Sequence, residues 1–272
     1  MARLAVIGNA ARDRVDGGAP SPGGCPTFAA LAFRLLGVEG QILTRYAESD
    51  RALFDDHLAG LGVPVTALPA ARTSAFALDY HGDSRTMRVA AIGDTWRPSD
   101  LESLEPTVEW VHVAPLLRSD FPPETLAALA ASGRRVSFDG QGLVRVPRTG
   151  EMAVDAAFDP ALLPSLSVLK LAEDEAEILA GGRFEARHAA KLGVPEILLT
   201  LGSEGAILYL GGGQDAIPVA GPVRDVQSTG AGDVFMVAYI AARSDGEEPT
   251  DAAHLAAATV ARMLEARKRS RR

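Results

Sequence analysis

The chain has one cysteine, Cys25, in 272 residues, so it can form neither an intrachain disulfide nor a multi-cysteine zinc site. A reducing, cytoplasmic setting is expected. Its five histidines, His57, His81, His112, His188 and His254, show no ligand spacing, and each reads as a surface or core residue rather than a metal ligand. A basic excess is also missing. The formal net charge of −8 argues against a general nucleic-acid binder, because such proteins need basic faces to displace counterions from phosphates. The one basic run, "ARKRSRR" at residues 266–272, reads as a solvated tail extending a C-terminal helix. No stretch reaches the roughly 18 uninterrupted apolar residues of a membrane span. The opening "MARLAVIGNAARD" has too short an apolar run for a signal peptide. Neither nucleic acid nor membrane is expected as a partner. There is no internal repeat and no low-complexity linker.

What remains is a globular composition, with 47% hydrophobic and 23% charged residues, long enough for one α/β domain with small additions. Leu4 to Ile7 is a short apolar run closed by Gly8, which predicts a buried strand. "NAARDRVDGGAPSPGG" follows and reads as a loop. Phe28, Leu31, Ala32 and Leu35 then recur at helical spacing before Gly37, predicting a helix over 27–36. "GQILTRYA", "VEWVHVAPL", "RRVSFDGQG", "LSVLKLAED" and "PEILLTLGS" each read as a strand entering a polar or glycine-containing turn. Helices are predicted at 50–61, 123–131, 173–179 and 186–192. Strands separated by helices indicate βαβ units and a mostly parallel sheet covered on both faces, with ligands at the carboxyl ends of its strands. Residues 65–96 depart from this pattern: near-alternation around "HGDS" predicts an antiparallel hairpin, a lid for the sheet edge.

The segment "QSTGAGDVF", residues 227–235, places glycines before a helix predicted to begin near Gly232 or Asp233. A helix N-terminus offers unpaired N–H groups and about half a positive charge, and glycine lets an anion approach the backbone. Asp233 would repel a phosphate there unless it has work to do. Two readings fit: a helix cap, or a general base that takes a proton from an attacking hydroxyl while the neighbouring N–H groups hold negative charge. Neither a P-loop (GxxxxGK[ST]) nor a GxGxxG after the first strand is present, which disfavours a nicotinamide oxidoreductase.

"VQSTGAGDVF" resembles the C-terminal DTxGAGD signature of the ribokinase-like (PfkB) carbohydrate kinases. Other segments agree in order: "GGCPTFAALAFRLLG" resembles the N-terminal signature, "LKLAEDEAEIL" the NxxE strand and turn, and "LLTLGSEGAILY" the nucleotide segment. The resemblance implies a three-layer αβα sandwich with a mostly parallel sheet and a small β lid, forming one domain over residues 1–272 with lid segments at about 10–23 and 65–96. It implies an ATP- and Mg²⁺-dependent kinase acting on a small polyol, with a homodimer through the lid permitted. By matching position, Asp233 would be the base, and the backbone of Gly230, Ala231 and Gly232 the anion hole. Lys170, Thr200, Gly202, Gly205 and Thr229 would line the nucleotide. Glu175 would organise Mg²⁺ through water. Asp13, Gly23, Gly24, Phe28 and Gln141 would meet the substrate. Phe76 and Arg85 in the hairpin read equally as lid contacts or as a packing phenylalanine and an exposed arginine. "FDGQGLVR" resembles a DxQGxxR stretch of family branches that include enzymes acting on cyclitols, which brings Asp139 and Arg145 into question as site residues.

Three positions depart from the family pattern. Gln227 replaces the first aspartate of the signature, which puts potassium activation in doubt. Ala172 replaces the asparagine of NxxE, and Phe28 an asparagine that often contacts sugar. The last change argues against a ribose-specific site and toward a flatter acceptor such as a nucleoside or cyclitol, unless Phe28 is a core residue. Gln227 and Ala172 also motivate a rival reading, a catalytically weak sensor of the same fold.

Overall fold

The computed structural model of the chain describes residues 3–81, 84–221 and 229–270. β1 (Leu4–Ile7) leads into β2 (Ala10–Val15) and β3 (Ser21–Gly24), then α1 (Cys25–Leu36), β4 (Gly40–Ala47), α2 (Arg51–Ala59) and β5 (Val65–Ala70). The hairpin β6 (Ser74–His81) and β7 (Ser84–Ala91) follows, with β8 (Trp110–Val113), α3 (Pro123–Ala131), β9 (Arg135–Asp139), the single turn α4 (Gln141–Val144) and β10 (Gly150–Glu151). The remainder comprises β11 (Val168–Ala172), α5 (Glu173–Ala180), α6 (Ala186–Leu192), β12 (Glu196–Thr200), β13 (Ala206–Leu210), β14 (Gly213–Ile217), α7 (Ala231–Ser244) and α8 (Pro249–Ser270).

Among the described residues the main sheet has nine strands in the order β14-β13-β12-β11-β9-β8-β1-β4-β5. All neighbours are parallel except β12–β13 and β13–β14. Strand parity builds two cores. Leu4, Val6, Ile42, Val168 and Leu198 pack with α1, α7 and α8, whereas Ala5, Ile7, Leu43, Leu169 and Ile197 pack with α3, α5 and α6. Burial on both faces explains the nearly continuous apolar strands, and the layering is the expected αβα sandwich. No helix of the described residues is long and apolar enough to cross a membrane.

A second sheet, in the order β10-β7-β6-β2-β3, forms the lid. Here two expectations are corrected. The segment read as a loop between residues 9 and 24 contains β2 and β3: Ala11 to Val15 pair in parallel with Ser74 to Leu78 of β6, and β3 pairs back on β2. Residues 65–70, assigned to the lid, instead form β5 at the edge of the main sheet. The first difference is non-local: a segment rich in Gly, Pro and charge is held as strands by β6, distant in sequence. The hairpin at 74–91 stands as expected, its turn residues 82 and 83 lying outside the described residues. Of the two readings of Phe76, packing holds: it sits with Ala11, Leu78, Val89, Leu116 and Leu117 in the core of the second sheet; the side chain of Arg85 lies outside the described residues, as does Gln227.

Candidate active site

On β8, β9 and β11, polar residues interrupt the apolar strands on one parity only. His112 on β8, Ser137 and Asp139 on β9 and Lys170 on β11 fall on the face that carries α1, α7 and α8, each next to residues that pack the opposite core. Register brings them together: His112 is opposite Ser137, and Asp139 opposite Lys170. His112 Nδ1 and Ser137 Oγ share a hydrogen bond of 2.9 Å. Burial pulls the imidazole down to about 4, so it is neutral at pH 7. Lys170 Nζ lies 3.4 Å from Asp139 Oδ2 and 3.8 Å from Glu175 Oε2. Burial alone would favour the neutral amine, but Asp139, Glu175 and Asp233 together hold the Lys170 pKa above its ordinary value. Burial pushes Asp139 up, but Lys170, His112, the Gln141 N–H and Arg145 together hold it below the usual carboxylate range.

α7 starts directly over this line. Its cap residue is Gly230 at φ 80°, a conformation costly for any residue with a Cβ, and a Cβ there would run into the Phe28 ring. The Phe28 ring on α1 thus lies against the entry to α7. Among the described residues no side chain caps α7, which leaves the N–H groups of its first turn available to an anion. Gly232 faces Lys170, whose Nζ would stand 3.4 Å from a Cβ at that position.

Asp233 is the third residue of α7, so the reading of it as the N-cap is corrected: the cap is Gly230. Its pKa is pushed up to about 7, chiefly by loss of solvation and then by the Asp139 charge, against the pull of Lys170. Arg145, which follows α4, lowers Asp139, Glu175 and Asp233 electrostatically. The buried thiol of Cys25, at the start of α1, is raised by burial and by Asp233 and Asp139.

The substrate-side candidates lie at the junction of lid and α1. Gly23 pairs with Ala11, and a Cβ on it would strike the Asp13 carboxylate. Asp13 Oδ1 is buried without a hydrogen-bond partner, and burial lifts its pKa to about 6. An unpartnered carboxylate oxygen fits a hydroxylic ligand. Gly24 has φ 89° and would bring a Cβ within 2.6 Å of the Asn9 carbonyl oxygen. Gln141 turns away: its side-chain amide donates to the Pro115 carbonyl at 2.6 Å and its backbone N–H to Asp139 Oδ1 at 3.1 Å.

Glu175 closes the start of its own helix, Oε2 accepting the Ala172 N–H at 2.8 Å, and burial raises its pKa while Lys170 opposes this. Among the described residues no group of three or more His, Cys, Asp or Glu side chains is placed to hold a metal. Thr200, Gly202 and Gly205 lie at the β12–β13 turn, the Thr200 hydroxyl donating to the Leu171 carbonyl at 3.2 Å. Thr229 is exposed at the mouth of the site, and its carbonyl accepts from Arg267 at 2.8 Å. The basic run is therefore not wholly a solvated tail. The His112–Ser137 pair, Cys25 and Arg267 were not among the sequence candidates; strand parity flags the first pair, and no local signal flags the other two.

The family profile described as pfkB family carbohydrate kinase matches residues 19–268. A fructokinase from Klebsiella pneumoniae is 30% identical over 278 aligned residues, covering 93% of this chain and 88% of its own length. An inositol 3-kinase from Zea mays is 28% identical over 71% of this chain, and the match spans 48% of that protein. Among solved structures, a pyrophosphate-dependent kinase in the ribokinase family, complexed with a pyrophosphate analog and myo-inositol, superposes with a TM-score of 0.82 at 26% identity. That match covers 96% of this chain and 95% of the other.

Proposed function

The chain belongs to the pfkB family of carbohydrate kinases, and on that premise we propose that it transfers the γ-phosphoryl group of ATP to a hydroxyl of a small sugar, cyclitol or nucleoside. Asp233 is the general base. It takes the hydroxyl proton as the acceptor oxygen forms its bond to phosphorus and the donor's phosphoanhydride bond breaks. The N–H groups of Gly230, Ala231 and Gly232 hold the charge on the transferring group. The observation that carries this reading is the Asp233 carboxylate at an uncapped, glycine-entered helix N-terminus, with its pKa near 7, where a general base works best. Mg²⁺, when bound, neutralises phosphate charge, with Glu175 contacting it through water. Lys170 sets the field beneath the phosphoryl group, and Thr200, Gly202, Gly205 and Thr229 follow the rest of the nucleotide.

On the acceptor side, Asp13 accepts hydrogen bonds from adjacent hydroxyls, and Gly23 and Gly24 let the ring approach the backbone. Phe28, packed against Gly230, offers an apolar wall that favours a cyclitol over a ribose. The inositol 3-kinase and the structure with myo-inositol support that preference. Gln141 contributes by fixing the Pro115 turn. A second reading of the donor, inorganic pyrophosphate, is favoured by the similarity to the pyrophosphate-dependent kinase. The lid sheet suits pairing between two copies; a monomer at all concentrations in light scattering rules that pairing out.

The test is phosphotransfer from Mg·ATP and from Mg·pyrophosphate across pentoses, hexoses, nucleosides and inositols, with Asp233→Asn as control. Acceptor-dependent turnover that the control loses upholds the reading. Donor binding without turnover on any acceptor replaces it with a sensor of the same fold.

A further inference from the structure

Beneath α7 one ammonium feels carboxylates from three elements, Asp139 of β9, Glu175 of α5 and Asp233 of α7. Lys170 reaches between the first two, its Nζ 3.4 Å from Asp139 Oδ2 and 3.8 Å from Glu175 Oε2. Both are pinned by backbone donors: Asp139 Oδ1 accepts the Gln141 N–H at 3.1 Å, and Glu175 Oε2 the Ala172 N–H at 2.8 Å. Gly140 lets them close on the lysine, since a Cβ there would stand 2.8 Å from the Lys170 carbonyl oxygen and 3.1 Å from Glu175 Oε2. Asp139, Lys170 and Glu175 are sealed, at 5%, 6% and 7% exposure, whereas Asp233 is only half-buried.

The third carboxylate is treated differently. Lys170 Nζ stands within ion-pair distance of Asp139 and Glu175 but not of Asp233, although a Cβ on Gly232, the residue before Asp233, would lie only 3.4 Å from Nζ. The ammonium thus sits under the same helix turn as Asp233, and its two lower partners hold it down. Arg145 lowers Asp139, Glu175 and Asp233 together and so does not choose among them. His112 is neutral, and the Cys25 thiol, raised by burial, carries no charge at pH 7.

Resting on the kinase reading above, we propose that Asp139 is a positioning residue for the general base: with Glu175 it holds the Lys170 ammonium off the Asp233 carboxylate, whose oxygens stay free to take the acceptor's proton. A carboxylate locked in an ion pair is a weaker base and has fewer lone pairs to offer. Without the Asp139 charge, the ammonium has one lower partner in place of two and closes on Asp233. The two influences on the base agree in direction, as the Asp139 charge raises the Asp233 pKa and Lys170 lowers it.

The experiment compares Asp139→Asn and Asp139→Glu with the wild type, with Asp139→Ser as a second neutral form should the asparagine variant not fold. Two readouts are taken: the pH profile of phosphotransfer and, with no donor or acceptor present, the carbon NMR titration of the Asp233 carboxyl, identified by its loss in Asp233→Asn. Asp139→Asn should lower kcat about tenfold to hundredfold, move the acid limb of kcat/KM and the Asp233 midpoint down by about one pH unit, and leave the donor KM within about twofold. Asp139→Glu keeps the charge and recovers part of kcat. In a Lys170→Met background the shift caused by Asp139→Asn should shrink, because the ammonium it releases is gone; an undiminished shift there overturns the proposal in favour of a direct field. Glu196→Gln controls for loss of a buried carboxylate. It weakens the hold of β12 on Tyr239 and Arg243, far along α7, and should lower Tm with the pH profile in place. An acid limb and an Asp233 midpoint that stay at wild-type values in the neutral variants overturn the proposal, even if Tm drops, and leave Asp139 as an anchor for the Gln141 turn. If the wild type turns over with neither ATP nor pyrophosphate, the kinase reading fails, and the carboxyl titration by itself still decides for or against Asp139.

Discussion

Replacing Asp233 with asparagine separates a carboxylate kept for chemistry from one that merely complements a helix dipole, because the two have opposite effects on stability. The folded protein raises Asp233 from 3.8 to about 7. Between those values the native state holds a proton that the unfolded chain has released, so stability falls as pH rises through this window and is level on either side. At about 1.4 kcal/mol per unit, the penalty at neutral pH is on the order of 4 kcal/mol. Asparagine mimics the protonated form in shape and carries no such penalty. Asp233→Asn should therefore gain about 3 kcal/mol over the wild type between pH 5 and pH 8. If the carboxylate only served the dipole, the substitution would lose about 0.3–1 kcal/mol at every pH in that range. Urea unfolding followed by tryptophan fluorescence suits the measurement, since Trp96 and Trp110 are both buried. A stability difference that does not change from pH 5 to pH 8 would refute the reasoning. The same variant should lose about 10²- to 10⁴-fold in turnover. Wild-type kcat/KM should rise about tenfold per unit up to pH near 7 and then level off, as a base must be unprotonated to act.

Removing the ammonium under α7 should be among the costlier changes. Lys170→Met leaves Asp139 and Glu175 facing each other in the interior, and a loss of about 3–5 kcal/mol is expected at pH 7. The loss should shrink toward pH 4 as the stranded carboxylates take up protons, and adding Asp139→Asn should recover part of it in a double-mutant cycle. Gly230→Ala forces a Cβ into the Phe28 ring at φ 80°. It should cost about 1–3 kcal/mol and weaken donor binding, with Phe28→Ala relieving the collision but not the dihedral strain; urea midpoints of the single and double variants check this. Arg118 donates to the carbonyls of Leu143, Val144, Asp155 and Ala157 and to the Asp155 carboxylate. Arg118→Ala should therefore lower stability by about 2 kcal/mol and blunt activity by loosening the turn that carries Arg145, read as a Tm and a pH profile measured together.

Local chemistry in the sequence determined a good deal of this. The span Gly40–Ala47 reads as a strand and is β4, and Pro123–Ala131 and Ala186–Leu192 read as helices and are α3 and α6, because apolar periodicity, a leading proline and a trailing glycine act within one element. The GAGD segment announced an anion-binding helix start for the same reason: φ freedom and dipole charge are properties of a few consecutive residues. The structure set the start of α7 one or two residues earlier than expected, at Ala231.

Tertiary structure decided what depends on distant partners. β2 and β3 carry prolines, glycines and charges that no propensity favours, and they are strands because β6 pairs with β2. β13 and β14 extend the sheet antiparallel beyond β12, at an edge where the parallel repeat gave no warning. Strand parity already places His112, Ser137, Asp139 and Lys170 on alternating positions. Only the strand order β11-β9-β8, which inverts nothing in the local pattern, sets them side by side beneath α7. Arg267 is the extreme case: it hydrogen-bonds the Thr229 carbonyl, 38 residues back in the chain. A hydrogen bond of that kind leaves no periodicity behind, since sequence records the pressures within an element and the packed chain alone determines which elements meet.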